Sequence, residues 1–131
     1  MIVFVIDDNR EMLHIQAENT KRALPTATIK KFLVSSYAIS CISEYKPDLI
    51  VTDFMMPEKN GDAVLDASRA FNPKVPVVLV SGMPSDSKKL KEYNDWFYKD
   101  YDRENFTDSL RRLMNYDTTV PQVNQASSTD L

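Results

Sequence analysis

Several things are scarce in this chain, and each scarcity removes a class of function. One cysteine in 131 residues rules out an internal disulfide, and Cys41, set among apolar positions of an expected helix, reads as a buried structural thiol and not a nucleophile. Two glycines are too few for a glycine-rich loop that cradles phosphate, and no D-x-D-x-[TV] phosphohydrolase signature is present. No apolar run approaches the ~20 residues needed to cross a bilayer. The first residues lack the basic, apolar, then small-residue layout of a signal peptide, and a strand starting at Ile2 leaves no room for one, so a cytoplasmic protein without membrane contact is expected. Basic residues are scattered except at Lys88, Lys89 and Lys91 and at Arg111 and Arg112. With a net charge of −3 and a pI near 5.1, direct nucleic-acid binding is not expected. The single histidine, His14, falls on an expected helix away from any strand end and reads as a surface residue.

What is present is enough apolar material, 43% of residues, for one compact domain. Ile2-Val3-Phe4-Val5-Ile6 reads as a first strand. Leu13, Ala17, Thr20 and Leu24 then stripe a helix over residues 10–24 that Pro25 stops. Residues 28–34 read as a strand with lysines suited to a sheet edge, and Ser36 as the cap of a helix presenting Ala38, Ile42 and Tyr45. A third strand follows at residues 49–52. A third helix after Gly61 carries Val64, Leu65 and Ser68 and ends before Pro73. The fourth strand covers residues 75–80, with Pro76 restricting where its pairing begins. A shorter helix around residues 85–93 precedes a core strand Trp96-Phe97-Tyr98, and Phe106, Leu110, Leu113 and Met114 stripe a terminal helix over residues 103–116. Residues 117–131, rich in Thr, Ser, Gln and Asn, read as a flexible tail or linker after a domain spanning 1–116.

Five strands alternating with five helices imply an α/β, doubly wound parallel sheet with helices on both faces, because parallel strands need crossover connections. In such a sheet ligands bind beyond the carboxyl ends of the strands. Asp7 and Asp8 follow the first strand, Asp53 the third, Ser81 the fourth and Lys99 the fifth, so residues far apart in sequence converge. Carboxylates with a nearby carbonyl, such as that of Met55, suit Mg²⁺, a hard cation that takes oxygen ligands. Clustered acids repel one another, and a metal relieves that repulsion. Asp53 can then act as a nucleophile toward a phosphoryl group, with Lys99 as a cationic clamp and Ser81 as a hydrogen-bond donor.

With those residues in place, the chain resembles the receiver domains of two-component response regulators, the CheY-like superfamily, over residues 1–116. Asp7-Asp8 is similar to the family's acidic pair, Asp53 to its phosphoacceptor, Asp53-Phe54-Met55-Met56-Pro57 with Gly61 to its D-x-x-M-P-x-x-x-G loop, Ser81 to its switch hydroxyl and Lys99 to its lysine. The resemblance implies a flavodoxin-like fold with strand order 2-1-3-4-5. It also implies Mg²⁺ held by Asp7, Asp8, Asp53 and Met55, with Asp7 acting mainly through a metal-bound water, and phosphorylation of Asp53 catalysed with Ser81 and Lys99. The implied phosphodonor is a sensor histidine kinase or a histidine phosphotransfer protein. Implied downstream elements are a protein target or fused output domain and a phosphorylation-dependent homodimer. Such a domain catalyses its own phosphorylation and dephosphorylation and turns over no external substrate.

Three departures shape the remaining expectations. Asp100 stands where the family usually has proline after the lysine, so a trans bond is expected there, since a cis bond to a non-proline costs ~3–4 kcal/mol. The stretch from Ser81 to Lys99 is short for the family, so the fourth helix is expected to be shortened or displaced. Met55 and Met83, two positions beyond Asp53 and Ser81, are expected to flank the phosphoryl group. Phosphorylation is expected to perturb residues 83–96. The competing readings are a phosphorylation-independent pseudo-receiver serving as a protein-interaction module and a metal-dependent phosphohydrolase.

Overall fold

The computed structural model of the protein describes residues 1–116. Five parallel strands, β1 (Ile2–Ile6), β2 (Thr28–Phe32), β3 (Leu49–Thr52), β4 (Val77–Ser81) and β5 (Asp95–Tyr98), form one sheet in the order β2-β1-β3-β4-β5. Helices α1 (Arg10–Ala23), α2 (Ser35–Tyr45) and α3 (Gly61–Phe71) make the first three connections, and α4 (Arg103–Leu113) follows β5. The tail expected over residues 117–131 lies outside the described residues.

Alternation along β1 shows why both faces must be covered. Val3 and Val5 join one buried cluster with Leu13, Val51, Val80, Phe106 and Leu110, on the side of α1 and α4. Phe4 and Ile6 join the other with Ile42, Ile50, Leu65 and Leu79, on the side of α2 and α3. A strand buried on both faces reads as a continuous apolar run, as β1, β3 and β4 do. Asn9, Asn60 and Asp102 cap α1, α3 and α4 by accepting the N–H groups of Met12, Ala63 and Asn105, each cap worth ~1 kcal/mol. Pro76 lies just outside β4, where its missing N–H costs nothing, and its carbonyl accepts from Ile50 at 3.0 Å.

Three expectations about elements change. The fourth crossover holds no α-helix: among the described residues the β4–β5 connection consists of two 3₁₀ turns, Pro84–Asp86 and Leu90–Glu92. Its sequence offers the core only Leu90 and Tyr93, at its far end, too few for the stripe a full helix would need to bury. Ser36 does not cap α2. The helix starts two residues earlier, after Val34, with no side-chain cap, and Ser35 and Ser36 instead donate to the Pro57 carbonyl at 3.1 Å and to Glu58 Oε1 at 2.5 Å. Finally, Trp96 and Tyr98 are 40% and 51% exposed; only Phe97 of that trio packs inward, against the α1 and α4 side. The other face of β5 is the one a full fourth helix would have covered.

Candidate acidic site at the strand ends

Hydrogen bonding of the sheet fixes where each site residue emerges. Asp7 N–H donates to the Phe32 carbonyl at 3.1 Å and Asp53 N–H to the Ile6 carbonyl at 2.9 Å, so both carboxylates leave the sheet at one level. Lys99 N–H donates to the Ser81 carbonyl at 3.1 Å, which sets the lysine beside the end of β4. The Lys99–Asp100 peptide is trans, as expected.

The side chains meet. Lys99 Nζ lies 3.1 Å from Asp53 Oδ2 and 3.3 Å from Asp7 Oδ2. The other oxygen of each acid is held by backbone: Asp53 Oδ1 accepts from Phe54 N–H at 2.7 Å and Asp7 Oδ1 from Asn9 N–H at 2.9 Å. Asp7, Asp8 and Asp53 each present a carboxylate oxygen within 4.8 Å of the others. Asp7 and Asp53 are buried, whereas Asp8 is exposed. A cavity of about 500 Å³ opens over this group, bordered by Asp8, Asp53, Ser81, Met83 and Lys99 and flanked by Met55. Asp7 sits behind it, against the lysine. A larger groove of about 700 Å³ between α1 and β2, bordered by Arg10, His14 and Lys31, has no comparable convergence of acids with a lysine. His14 itself is solvent-exposed and pairs with Glu18 at 3.4 Å, and Cys41 is buried.

Three carboxylates gather beside one ammonium, which pairs with two of them, and the electrostatics record the imbalance. Burial, and then the charge of Asp7, push the Asp53 carboxyl up to about 6, against the pull of Lys99 and Phe54 N–H. Burial also raises Asp7, opposed by the Asn9 N–H and Lys99. For Lys99 burial alone acts downward, but the attraction of Asp53 and Asp7 outweighs it and the net shift is upward. The site is therefore short of positive charge and offers oxygen donors only, which suits a hard divalent cation.

Every candidate residue lies at this end of the sheet, with Ser81 buried and its Oγ accepting from Met83 N–H at 3.1 Å. Two features escaped the sequence reading. Asn9 both caps α1 and borders the cavity; its position between an acidic pair and a helix start was the available signal. Asp62, buried at the start of α3, binds the β4–β5 connection, and no local pattern marks it. Gly61 is demanded by contact: a Cβ there would lie 2.7 Å from the Asp53 carbonyl oxygen. Among the described residues no helix is long and apolar enough to cross a membrane.

Comparison with known proteins agrees with this architecture. Residues 3–111 match the response regulator receiver domain family. The chain is 27% identical over 88 residues to a protein-glutamate methylesterase/protein-glutamine glutaminase of Treponema denticola, covering 67% of this chain and 24% of that protein. It is also 27% identical over 123 residues to hybrid signal transduction histidine kinase D of Dictyostelium discoideum, covering 86% of this chain and 8% of that one. It thus spans a quarter or less of these curated relatives. Among solved structures, a response regulator receiver domain protein from Clostridium thermocellum superposes with a TM-score of 0.76 at 16% identity, covering 87% of this chain and 94% of the other. A CheY-like receiver domain protein from Methanospirillum hungatei superposes at 0.72 with 15% identity over the same shares. With the family match spanning most of the described fold, and the acids, hydroxyl and lysine gathered at its strand ends, this chain belongs to the response regulator receiver domain family of two-component signalling.

Proposed function

We propose that this domain, residues 1–116, accepts a phosphoryl group on Asp53 from a histidine kinase or histidine phosphotransfer protein and that the transfer depends on Mg²⁺. The observation that carries this reading is the pairing of Asp53 with Lys99 at 3.1 Å beside two further carboxylates, in a cavity open to solvent. The donor set fits a divalent cation: Asp8 and Asp53 border the cavity, Asp7 stands behind them, and the carbonyl of Met55 lies on the adjoining loop. When bound, Mg²⁺ supplies positive charge against the transferring oxygens.

The residues of the chain do the rest. The backbone bond from Phe54 and the ion pair with Lys99 hold the Asp53 carboxylate in one orientation, which favours in-line approach to phosphorus. A carboxylate oxygen forms the new P–O bond while the donor's P–N bond breaks and its electron pair stays on the imidazole nitrogen. Lys99 balances charge on the phosphoryl oxygens, and Ser81, freed from Met83 N–H, donates its hydroxyl to one of them. Met55 and Met83, 69% and 54% exposed at the rim, stand where they narrow the path of hydrolytic water. Signalling partners, and any output domain on a longer chain, would read the resulting change of surface.

The test is incubation with acetyl phosphate followed by intact-mass measurement. Mg²⁺-dependent gain of one phosphoryl group, abolished by EDTA and absent in Asp53→Asn, is expected. A fully metal-independent gain would overturn the Mg²⁺ dependence, and no gain with the protein folded and Mg²⁺ bound would favour a pseudo-receiver acting by protein contact alone.

A further inference from the structure

The connection between β4 and β5, which lacks a helix, is held by α3 through side chains and not by apolar packing of a helix. Asp62, Asp66 and Arg69 stand at helical spacing on α3 and all reach that connection. The buried Asp62 carboxylate accepts from Ser87 Oγ and Tyr93 OH, each at 2.7 Å, and from Lys88 N–H at 3.2 Å. Asp66 pairs with Lys89 at 3.1 Å, and Arg69 donates to the Glu92 carbonyl and to Asn94 Oδ1, each at 2.9 Å. Every one of these grips falls at Ser87 or beyond.

Residues 82–86 are held differently. Among the described residues their hydrogen bonds run to Ser81 Oγ, from Met83 N–H, and within the segment and its junction, from Asp86 N–H to the Met83 carbonyl and from Ser87 N–H to the Pro84 carbonyl. A Cβ at Gly82 would meet nothing within 4 Å, so a side chain there would not be crowded, and Pro84 is the one buried residue of the segment. Met83 is exposed and borders the cavity over Asp53. The gripped portion, by contrast, packs close to the phosphoacceptor's own backbone: a Cβ on Gly61 would lie 2.7 Å from the Asp53 carbonyl oxygen and 3.1 Å from Tyr93 OH.

We propose that Asp62, with Ser87 and Tyr93, is a latch that divides the β4–β5 connection at Ser87 into a fixed platform and a short flap, residues 82–86, which alone moves when Asp53 is phosphorylated. This rests on the reading of Asp53 as phosphoacceptor and narrows the region expected to respond from residues 83–96. When Ser81 turns toward the phosphoryl group it releases Met83 N–H, the one bond that ties the flap to the strand end, whereas Asp62 keeps its three partners. The state of Asp53 is then displayed at the mouth of the site, through Met83, and not through the exposed Trp96 and Tyr98 of β5. Asp62 touches no reacting atom and is a positioning residue.

The test is residue-resolved NMR of the full chain, with amide exchange measured without ligand and with Mg²⁺ and beryllofluoride, a phosphoryl stand-in whose bound ¹⁹F signal is read in the same sample. Without ligand, the amides of Lys88 and Lys89, bonded to Asp62 Oδ2 and Ser87 Oγ, are expected to exchange at least ~10-fold faster in Asp62→Asn and Tyr93→Phe, while those of α1 stay unchanged, which separates a local latch from general destabilisation. If Asp62→Asn does not fold, Ser87→Ala and Tyr93→Phe serve in its place. With beryllofluoride, shift changes in the wild type should stop at Ser87 and in Tyr93→Phe should extend through residue 93. Unaltered Lys88 and Lys89 exchange in the folded latch variants would overturn the latch, and wild-type changes as large at Lys88 and Lys89 as in 82–86 would overturn the division. Absence of bound fluoride at any concentration would overturn the phosphoacceptor reading and the flap's role with it, while the ligand-free comparison still decides whether Asp62 holds the platform.

Discussion

Replacing Asp53 by Asn should stabilise the metal-free protein, by an amount that grows with pH. Asp53 is 5% exposed, and its carboxyl is raised from 3.8 to about 6 chiefly by burial and then by Asp7. A raised carboxyl pKa means that the native state binds the proton more tightly than the unfolded chain does. Stability is therefore greatest below the unfolded value and is lost as pH rises through the folded one. At about 1.36 kcal/mol per unit, the shift corresponds to a loss of ~3 kcal/mol once Asp53 is ionised. Asn cannot ionise and keeps an oxygen for Phe54 N–H, and the pull of Lys99 is already included in the raised value. The variant should thus be ~1–3 kcal/mol more stable than wild type at about pH 8 and nearly equal to it at about pH 4. Urea unfolding in EDTA across that range, with unchanged m-values, measures the difference. Added Mg²⁺ should close the gap at the higher pH by binding the native wild type selectively. A difference independent of pH, or a less stable variant at the higher pH, would refute the claim that this carboxylate is held in a site short of positive charge.

Lys99→Met should push the Asp53 pKa higher still and cost ~1–3 kcal/mol at neutral pH, because two buried carboxylates lose their shared cation; a ¹³C titration of the Asp53 carboxyl checks the direction. Asp8→Asn should weaken Mg²⁺ binding ~10-fold or more, since it removes the exposed anionic donor at the cavity; calorimetric titration showing unchanged affinity would take Asp8 out of the metal's ligand set. Gly61→Ala should cost ~1–3 kcal/mol by overpacking, because its new methyl meets the Asp53 carbonyl and the Tyr93 hydroxyl, and denaturant unfolding would read that loss.

Much of the fold was legible because the signals were local. Continuous apolar runs at β1, β3 and β4, and stripes such as Leu13, Ala17 and Thr20 on α1, specify buried strands and one-sided helices without reference to the rest of the chain. The gathering of Asp7, Asp8, Asp53, Ser81 and Lys99 followed from that, since a parallel sheet places all its strand ends on one edge. What could not be read was set by distant partners. Residues 85–93 fold as two turns because Asp62, Asp66 and Arg69, a helix away, supply polar grips where a helix would need an apolar stripe. Trp96 and Tyr98 look like core and are exposed for the same reason: the element that would cover them is not a helix. Ser36 has the chemistry of a cap, but the loop after β3 offers Ser35 and Ser36 partners of its own.

On the proposed mechanism Asp53, and neither Asp7 nor Asp8, receives the phosphoryl group. Borohydride reduction after acetyl phosphate treatment converts an aspartyl phosphate to homoserine, which peptide mass spectrometry locates to a single residue. Homoserine is expected at position 53 only, formed with Mg²⁺ and not with EDTA. Homoserine at position 7 or 8 in the folded wild type, or none at position 53 with Mg²⁺ demonstrably bound, would contradict it.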